Sequence, residues 1–353
     1  MRKEAIGFLK QLINTPSPSG FEQPVQKLIK QELEKFSAEV KVDVMGNVMG
    51  VVNKGGKPRI MIAGHCDEIG LMVKYIDENG YIFFTTIGGV DAHLLPGRRV
   101  YIWHGEEKIC GVIGRKPIHL LEEEERKRVS KIEDMFIDVG VKNRQEAESL
   151  ISIGDPITFS EEFLTLRGDK VIGRGFDDRI GAFITVEVLR ELSRRELNAE
   201  VYGVSTVQEE VGLRGARTST FSIHPDIGLC IEVGFATDFP GVEKKKVGEV
   251  KVGKGPIIAR GPNINPVLYQ ILLSVAEEKG IPVQTSGEPR GTPTDANVIQ
   301  LSREGVATAL ISIPLRYMHT PSELISLEDV ENTIKLIVET ILRITPDISF
   351  LPL

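Results

Sequence analysis

Apolar residues recur at helical spacing over residues 2–13, where Ile6, Phe8, Leu9, Leu12 and Ile13 fall mostly on one face; Pro16-Ser17-Pro18-Ser19-Gly20 then breaks the helix. Ser19 and Glu22 stand in the Ser-x-x-Glu relation of a capping box, which predicts a second helix over residues 20–36. The alternating segment Val40–Val52, with Gly46-Asn47 at its middle, reads as a hairpin, and Arg59–Ala63 as a short apolar strand that stops at Gly64-His65. From about residue 69 to 165 the pattern changes to short strands separated by turn signals, with one short helical stretch near Arg144–Leu150. Helix and strand then alternate: helix Asp178–Glu196, strands Glu200–Val207 and Ile227–Val233, helix Pro266–Lys279, strand Ala307–Ile313 and helix Leu327–Ile344. Alternation of this kind predicts an α/β fold with a mixed, largely parallel sheet covered by helices on both faces. Residues 1–68 and 166–353 are expected to form that domain, with 69–165 as an inserted β-rich domain.

A chain of 353 residues exceeds the size at which one core usually stops growing, which agrees with two domains. The net charge of −7 speaks against general affinity for nucleic acid or anionic membrane, and the Lys244-Lys245-Lys246 run reads as solvated loop charge. Cys66, Cys110 and Cys230 are far apart and form no Cys-x-x-Cys pair, so neither a disulfide framework nor a cysteine zinc site is expected. Met1–Glu4 runs into an amphipathic pattern and not into a leader-like apolar stretch, and no apolar run approaches the ~20 residues of a membrane span. A cytoplasmic setting is the expectation.

In an open α/β sheet, ligands bind beyond the carboxyl ends of the strands, so polar residues directly after apolar strands are the ones to examine. Four segments qualify. His65 and Asp67 follow the first strand and suit a metal ligand and the carboxylate that orients it. Asp177-Asp178 precedes a long helix, Glu209-Glu210 ends a strand ahead of Gly212 and Gly215, and His319 lies in the loop before the last helix. Singly, each has an ordinary explanation: helix capping, solvated acids, a surface histidine. Together they converge on one crevice as an imidazole and carboxylate set suited to Zn²⁺, Co²⁺ or Mn²⁺.

Those segments, with Ser17-Pro18-Ser19-Gly20-Phe21-Glu22, Gly64–Gly70, Pro117-Ile118-His119, Asp177–Gly181, Gln208–Gly212, Gly253–Pro256, Thr294-Asp295-Ala296 and His319–Glu323, resemble the M42 metallopeptidases along essentially the whole chain. These are the deblocking or TET aminopeptidases of the di-zinc peptidase clan, also known under glutamyl aminopeptidase and cellulase-M-like names. The resemblance implies an aminopeptidase that takes N-terminal residues from peptides with two divalent ions, Zn²⁺ or Co²⁺. It makes Asp177 the carboxylate shared by both ions, with a cis peptide to Asp178. His65 and Glu232 would hold one ion, Glu210 and His319 the other. Glu209 matches the general base and Asp67 the residue that orients His65. It further implies a PDZ-like inserted domain that pairs subunits into dimers, and a tetrahedral homododecamer built from them.

The chain departs from the family at Cys230-Ile231-Glu232-Val233-Gly234, where Asp-Val-Thr is usual, so Glu232 carries one extra methylene at a ligand position. The alternative is that Glu232 supports a ligand and Asp238 takes its place. Glu232, Asp238 and Asp295 are candidates for binding the substrate ammonium. Phe235, Phe239 and Arg290 are candidates for lining the first-residue pocket, which two aromatics would make shallow and suited to small or neutral side chains. Two further readings stay open: a glycoside hydrolase of endoglucanase type using Glu209 and Glu210, and an inactive metal-binding homologue.

Overall fold

The computed structural model describes residues 1–160 and 162–353. Its centre is an eight-stranded sheet in the order 39–42, 48–52, 200–206, 59–65, 227–235, 307–315, 257–260, 284–287. The four middle strands, Glu200–Thr206, Arg59–His65, Ile227–Phe235 and Ala307–Leu315, are mutually parallel, so their carboxyl ends open on one side. Every residue of Ile227–Val233 is buried, as expected for a strand covered on both faces. The hairpin Glu39–Val42/Val48–Val52 is present and joins the sheet antiparallel to Glu200–Thr206.

The helix Phe176–Leu192 is almost wholly buried, its charged residues included, which fits a helix enclosed by other elements and not one lying on the surface. It approaches Arg59–His65 so closely that a Cβ on Gly64 would stand 2.3 Å from the Gly181 carbonyl carbon. At its start, the fully buried Arg179 guanidinium donates to the carbonyls of Leu12, Thr15, Arg174 and Gly175, and pairs with Glu68 at 3.0 Å. Glu68 also binds Arg174 and accepts from the Ser17 N–H. Glu68 and the two arginines together tie the first helix, the loop after it and the central helix.

The anticipated helix over 20–36 runs Gln23–Leu33, and the capping box does not form. The Ser19 hydroxyl instead donates to Asp67, and the Glu22 carboxylate accepts from the Gly20 and Gln208 N–H groups. Both side chains are drawn to tertiary partners across the fold, which outweighs a local cap.

Strands Gly70–Ile76, Ile82–Ile87, Arg99–His104, Glu107–Gly114, Phe136–Asp138 and Pro156–Phe159 close into an antiparallel barrel. Leu71, Ile82, Val100, Ile102, Ile137 and Ile157 fill it, forming a core separate from that of the large sheet. The helical stretch in this region is Arg144–Glu148, and a second short helix, Glu123–Arg126, precedes it. Leu164–Thr165, Lys170–Gly173 and Glu323–Ser326 form a separate three-stranded sheet, and Arg316, just past Ala307–Leu315, bridges to its Leu324.

Candidate metal centre and active site

His65 is the last residue of its strand, and its Nε2 stands 3.2 Å from Asp177, 3.7 Å from Glu209 and 3.7 Å from Glu232. His319 Nε2 lies 3.3 Å from the other oxygen of Asp177 and 3.4 Å from Glu210. Asp177 therefore stands between the two imidazoles, one carboxylate oxygen toward each. The bond from Asp177 to Asp178 is cis. Ligand atoms of His65, Asp177 and Glu210, and likewise of His65, Asp178 and Glu232, come within 4.8 Å of one another. Both Asp178 oxygens are already engaged, by the N–H groups of His65 and Gly181, which marks it as a brace for the His65 backbone.

Glu209 and Glu210 do not lie in the strand, which ends at Thr206. Gln208 takes a left-handed conformation, φ 56°, and the chain turns so that both carboxylates face the cluster instead of pointing apart. Asp67 directs this turn. Its buried carboxylate accepts from the N–H groups of Glu209 and Glu210, at 3.0 and 3.2 Å, and lies 3.3 Å from His65 Nδ1. The same Nδ1 lies 3.1 Å from the Asp67 backbone carbonyl, so the carboxylate faces His65 beside that bond and also holds the two neighbouring acids.

Two further braces come from groups that strand-end reasoning does not single out. The Glu323 carboxylate accepts from the N–H groups of Asp177 and His319, fixing one residue on each side of the cluster. From the barrel, the Gly89 carbonyl lies 2.8 Å from His319 Nδ1. An Nδ1–H donated there leaves Nε2, the nitrogen facing Asp177 and Glu210, free to bind a cation. Gly89 has no Cβ, and one built there would sit 3.0 Å from that same Nδ1. Gly88-Gly89 is locally one more turn between short strands, and nothing local points to His319, 230 residues away.

The electrostatics fit cation binding. Burial pushes the Glu209 carboxyl up to about 9, reinforced by the charges of Asp295, Glu210 and Asp177. Burial also holds Glu232 well above the usual carboxylate range, with Asp178 adding to it. His319 is pushed up to about 11 by hydrogen bonds to Asp177 and Glu210. For Asp177, burial acts upward, but contacts with His319 and His65 outweigh it and hold the carboxyl below its ordinary range. So many buried carboxylates around two imidazoles are short of positive charge, and divalent cations supply it with N/O donors they accept. Cys66 and Cys230 are not part of the set: burial pushes both thiols well up, away from the thiolate a metal needs.

A cavity of about 800 Å³ opens beside the cluster and is lined by Asp177, Glu209, Glu210, Glu232, His319, Phe235 and others. Several expected lining residues are elsewhere. Asp238 forms a two-bond ion pair with Arg316, at 2.6 and 2.7 Å, and accepts from the Val252 N–H, so it replaces neither Glu232 nor a substrate contact. Asp295 is buried and takes the Thr206 hydroxyl at 2.6 Å. Phe239 packs on Tyr317 with ring centres 5.5 Å apart, and Arg290 is exposed, neither lining the cavity. Of the two aromatics, Phe235 is in its wall and Phe239 is not.

A family model for M42 glutamyl aminopeptidases matches residues 46–336, most of the chain. The chain belongs to that family. It is 41% identical to a lysyl aminopeptidase of Pyrococcus furiosus over 93% of this chain and 94% of the relative. Its fold matches a TET aminopeptidase from a marine sediment thaumarchaeon with a TM-score of 0.92 at 38% identity, covering 96% of each chain. It also matches Pyrococcus horikoshii TET1 peptidase, described as assembling into a tetrahedron or a large octahedral shell, with a TM-score of 0.86 at 33% identity over 96% of this chain and 100% of that one. The protein is accordingly a peptide hydrolase of the aminopeptidase type. Glycoside hydrolysis is not favoured: Glu209 and Glu210 belong to a centre with two imidazoles, which an acid and base pair does not need.

Proposed function

We propose that the protein removes N-terminal residues from peptides using two divalent ions, Zn²⁺ or Co²⁺. The observation that carries this reading is the single carboxylate, Asp177, set between His65 and His319. His65 and Glu232 would hold one ion, Glu210 and His319 the other, with Asp177 shared. Bound there, the ions would polarise the scissile carbonyl and acidify the attacking water. Glu209 is the base: its carboxylate is buried beside the cluster and accepts no backbone N–H among the described residues, so it is free to take a proton from the water and return it to the leaving amine. Asp67 positions the base and both neighbouring ligands at once. Of the three acids considered for the substrate ammonium, only Glu232 lines the cavity.

The same reading assigns residues 1–68 and 166–353 to catalysis and 69–165 to subunit pairing. The shell described for the horikoshii relative supports a homo-oligomer, which we take to be a tetrahedral dodecamer built from dimers. In such a shell the substrates are peptides and not folded proteins. The family name says glutamyl and the furiosus relative's name says lysyl, so names do not decide the first residue. The three unpaired cysteines agree with a cytoplasmic setting, and no helix among the described residues is long and apolar enough to cross a membrane.

The test is Glu209→Gln. It should retain its bound metal while kcat on amino-acid p-nitroanilides falls roughly 10²- to 10⁴-fold, the usual worth of a general base. Turnover near wild type would sink the assignment. Stripping with a chelator should abolish activity, and adding back Zn²⁺ or Co²⁺ should restore it.

A further inference from the structure

The cavity extends from the cluster along the sheet. Glu232, Ser312 and Ile257 stand in one register row across three neighbouring strands. The row continues to Gln284 in the edge strand Gln284–Gly287, and farther along that edge Ser286 and, one residue past its end, Glu288 join the lining. Val250, Ile257 and Leu310 give part of the lining an aliphatic character, beside the small polar groups of Ser312, Thr292 and Thr294. Glu288 is half-buried, and its carboxylate has no hydrogen bond or ion pair among the described residues. Among the described residues no lysine or arginine lines the cavity, and the imidazole that does, His319, faces Asp177 and Glu210.

We propose that Glu288 makes this cavity a pocket for a basic first residue, lysine or arginine. The inference rests on the aminopeptidase reading above and adds to it the class of side chain removed. The other acids of the lining, Asp177, Glu209, Glu210 and Glu232, belong to the metal centre, so Glu288 is the charge left for the substrate side chain. Aliphatic walls accept the methylenes of a long side chain, and a carboxylate at the far rim accepts its ammonium or guanidinium. A glutamate or aspartate placed in the same space meets a like charge with no cation to offset it. The pocket thus opposes the acidic preference that the family's name carries.

The experiment compares kcat/KM of the metal-loaded protein on Lys-, Arg-, Leu- and Glu-p-nitroanilide, for wild type, Glu288→Gln and Glu288→Lys. Wild type should favour Lys and Arg over Glu. Glu288→Gln should lower the Lys-to-Leu ratio roughly ten- to a hundredfold, the worth of a hydrogen bond to a charged group, mainly through KM. Glu288→Lys should reverse the order of Lys and Glu, which loss of packing alone would not do. An unchanged Lys-to-Leu ratio in Glu288→Gln, or a wild type that prefers Glu, overturns the inference and leaves the aminopeptidase reading standing. No cleavage of any substrate by wild type overturns the reading itself, and this inference with it.

Discussion

Replacing Asp67 by Asn removes one charge and one acceptor from a carboxylate whose two oxygens are both in use. Oδ1 accepts from the Glu209 N–H at 3.0 Å and faces His65 Nδ1 at 3.3 Å. Oδ2 accepts from the Ser19 hydroxyl at 2.7 Å and from the Glu210 N–H at 3.2 Å. An asparagine has a single oxygen, so in either orientation its NH₂ meets a backbone N–H. The better choice places the NH₂ at Oδ2, where Ser19 is able to rotate and accept, but the Glu210 N–H then loses its partner. One unpaired buried donor costs about 1–3 kcal/mol, and turning the remaining charged hydrogen bonds into neutral ones costs about 1–2 kcal/mol more. The sum is roughly 2–5 kcal/mol of stability.

The functional consequence follows from what Asp67 holds. With His65, Glu209 and Glu210 no longer aligned, metal affinity should fall roughly 10- to 100-fold, as it does when groups that orient ligands are lost. Competition against a chromophoric chelator measures that affinity, and thermal unfolding of metal-stripped protein measures stability. Ser19→Ala is the control. It removes one donor and leaves no buried N–H unpaired, so its effects should be smaller on both measures. Wild-type metal affinity in Asp67→Asn would refute the reasoning, and lost stability with unchanged affinity would reduce Asp67 to a brace of the fold.

Gly89→Ala places a methyl against His319 Nδ1, 3.0 Å away, so it should weaken metal binding while the barrel stays folded; wild-type affinity in a chelator competition would show that the barrel does not position this ligand. Glu22 gives a pH prediction. Burial, with the charge of Asp67, raises its carboxyl to about 7 from an ordinary 4.5. The folded state therefore holds this proton more tightly than the unfolded chain, so the group's contribution to stability is full below pH 4.5 and is lost as pH rises toward 7. In metal-stripped protein, Glu22→Gln should match wild type near pH 4.5 and exceed it by roughly 2–3 kcal/mol at pH 8, since glutamine still accepts from Gly20 and Gln208. Thermal melts across that range check it, and a difference independent of pH would count against it.

The main elements were legible because each is written in local pattern. The helix Pro266–Lys279 ends as anticipated, with Asn265 capping its start, and the strand ends carrying His65, Glu210 and His319 were visible as polar residues after apolar runs. Periodicity was less informative where an element is buried on all sides. Just after its first residue, Phe176, the central helix holds two residues, Asp177 and Asp178, that lack helical backbone angles, and no hydrophobic repeat signals that. Short strands such as Ile257–Arg260, and the helix Arg214–Ile223, were absent from the reading because their patterns are too brief to stand out.

The sequence by itself determined which residue types meet and in what chain order: two imidazoles, a set of acids and no thiolate, each beside a strand that could deliver it. Tertiary structure decided which acids face inward. Asp238 and Glu232 lie six residues apart, Glu232 the preferred ligand and Asp238 its alternative, and in the fold Arg316 takes Asp238 while Glu232 faces the cluster. Asp295 and Glu288 differ in the same way, one buried against Thr206 and the other open to the cavity. Neither outcome is visible locally, because a carboxylate's role depends on the cation or N–H that reaches it, and those partners come from strands and loops distant in the chain.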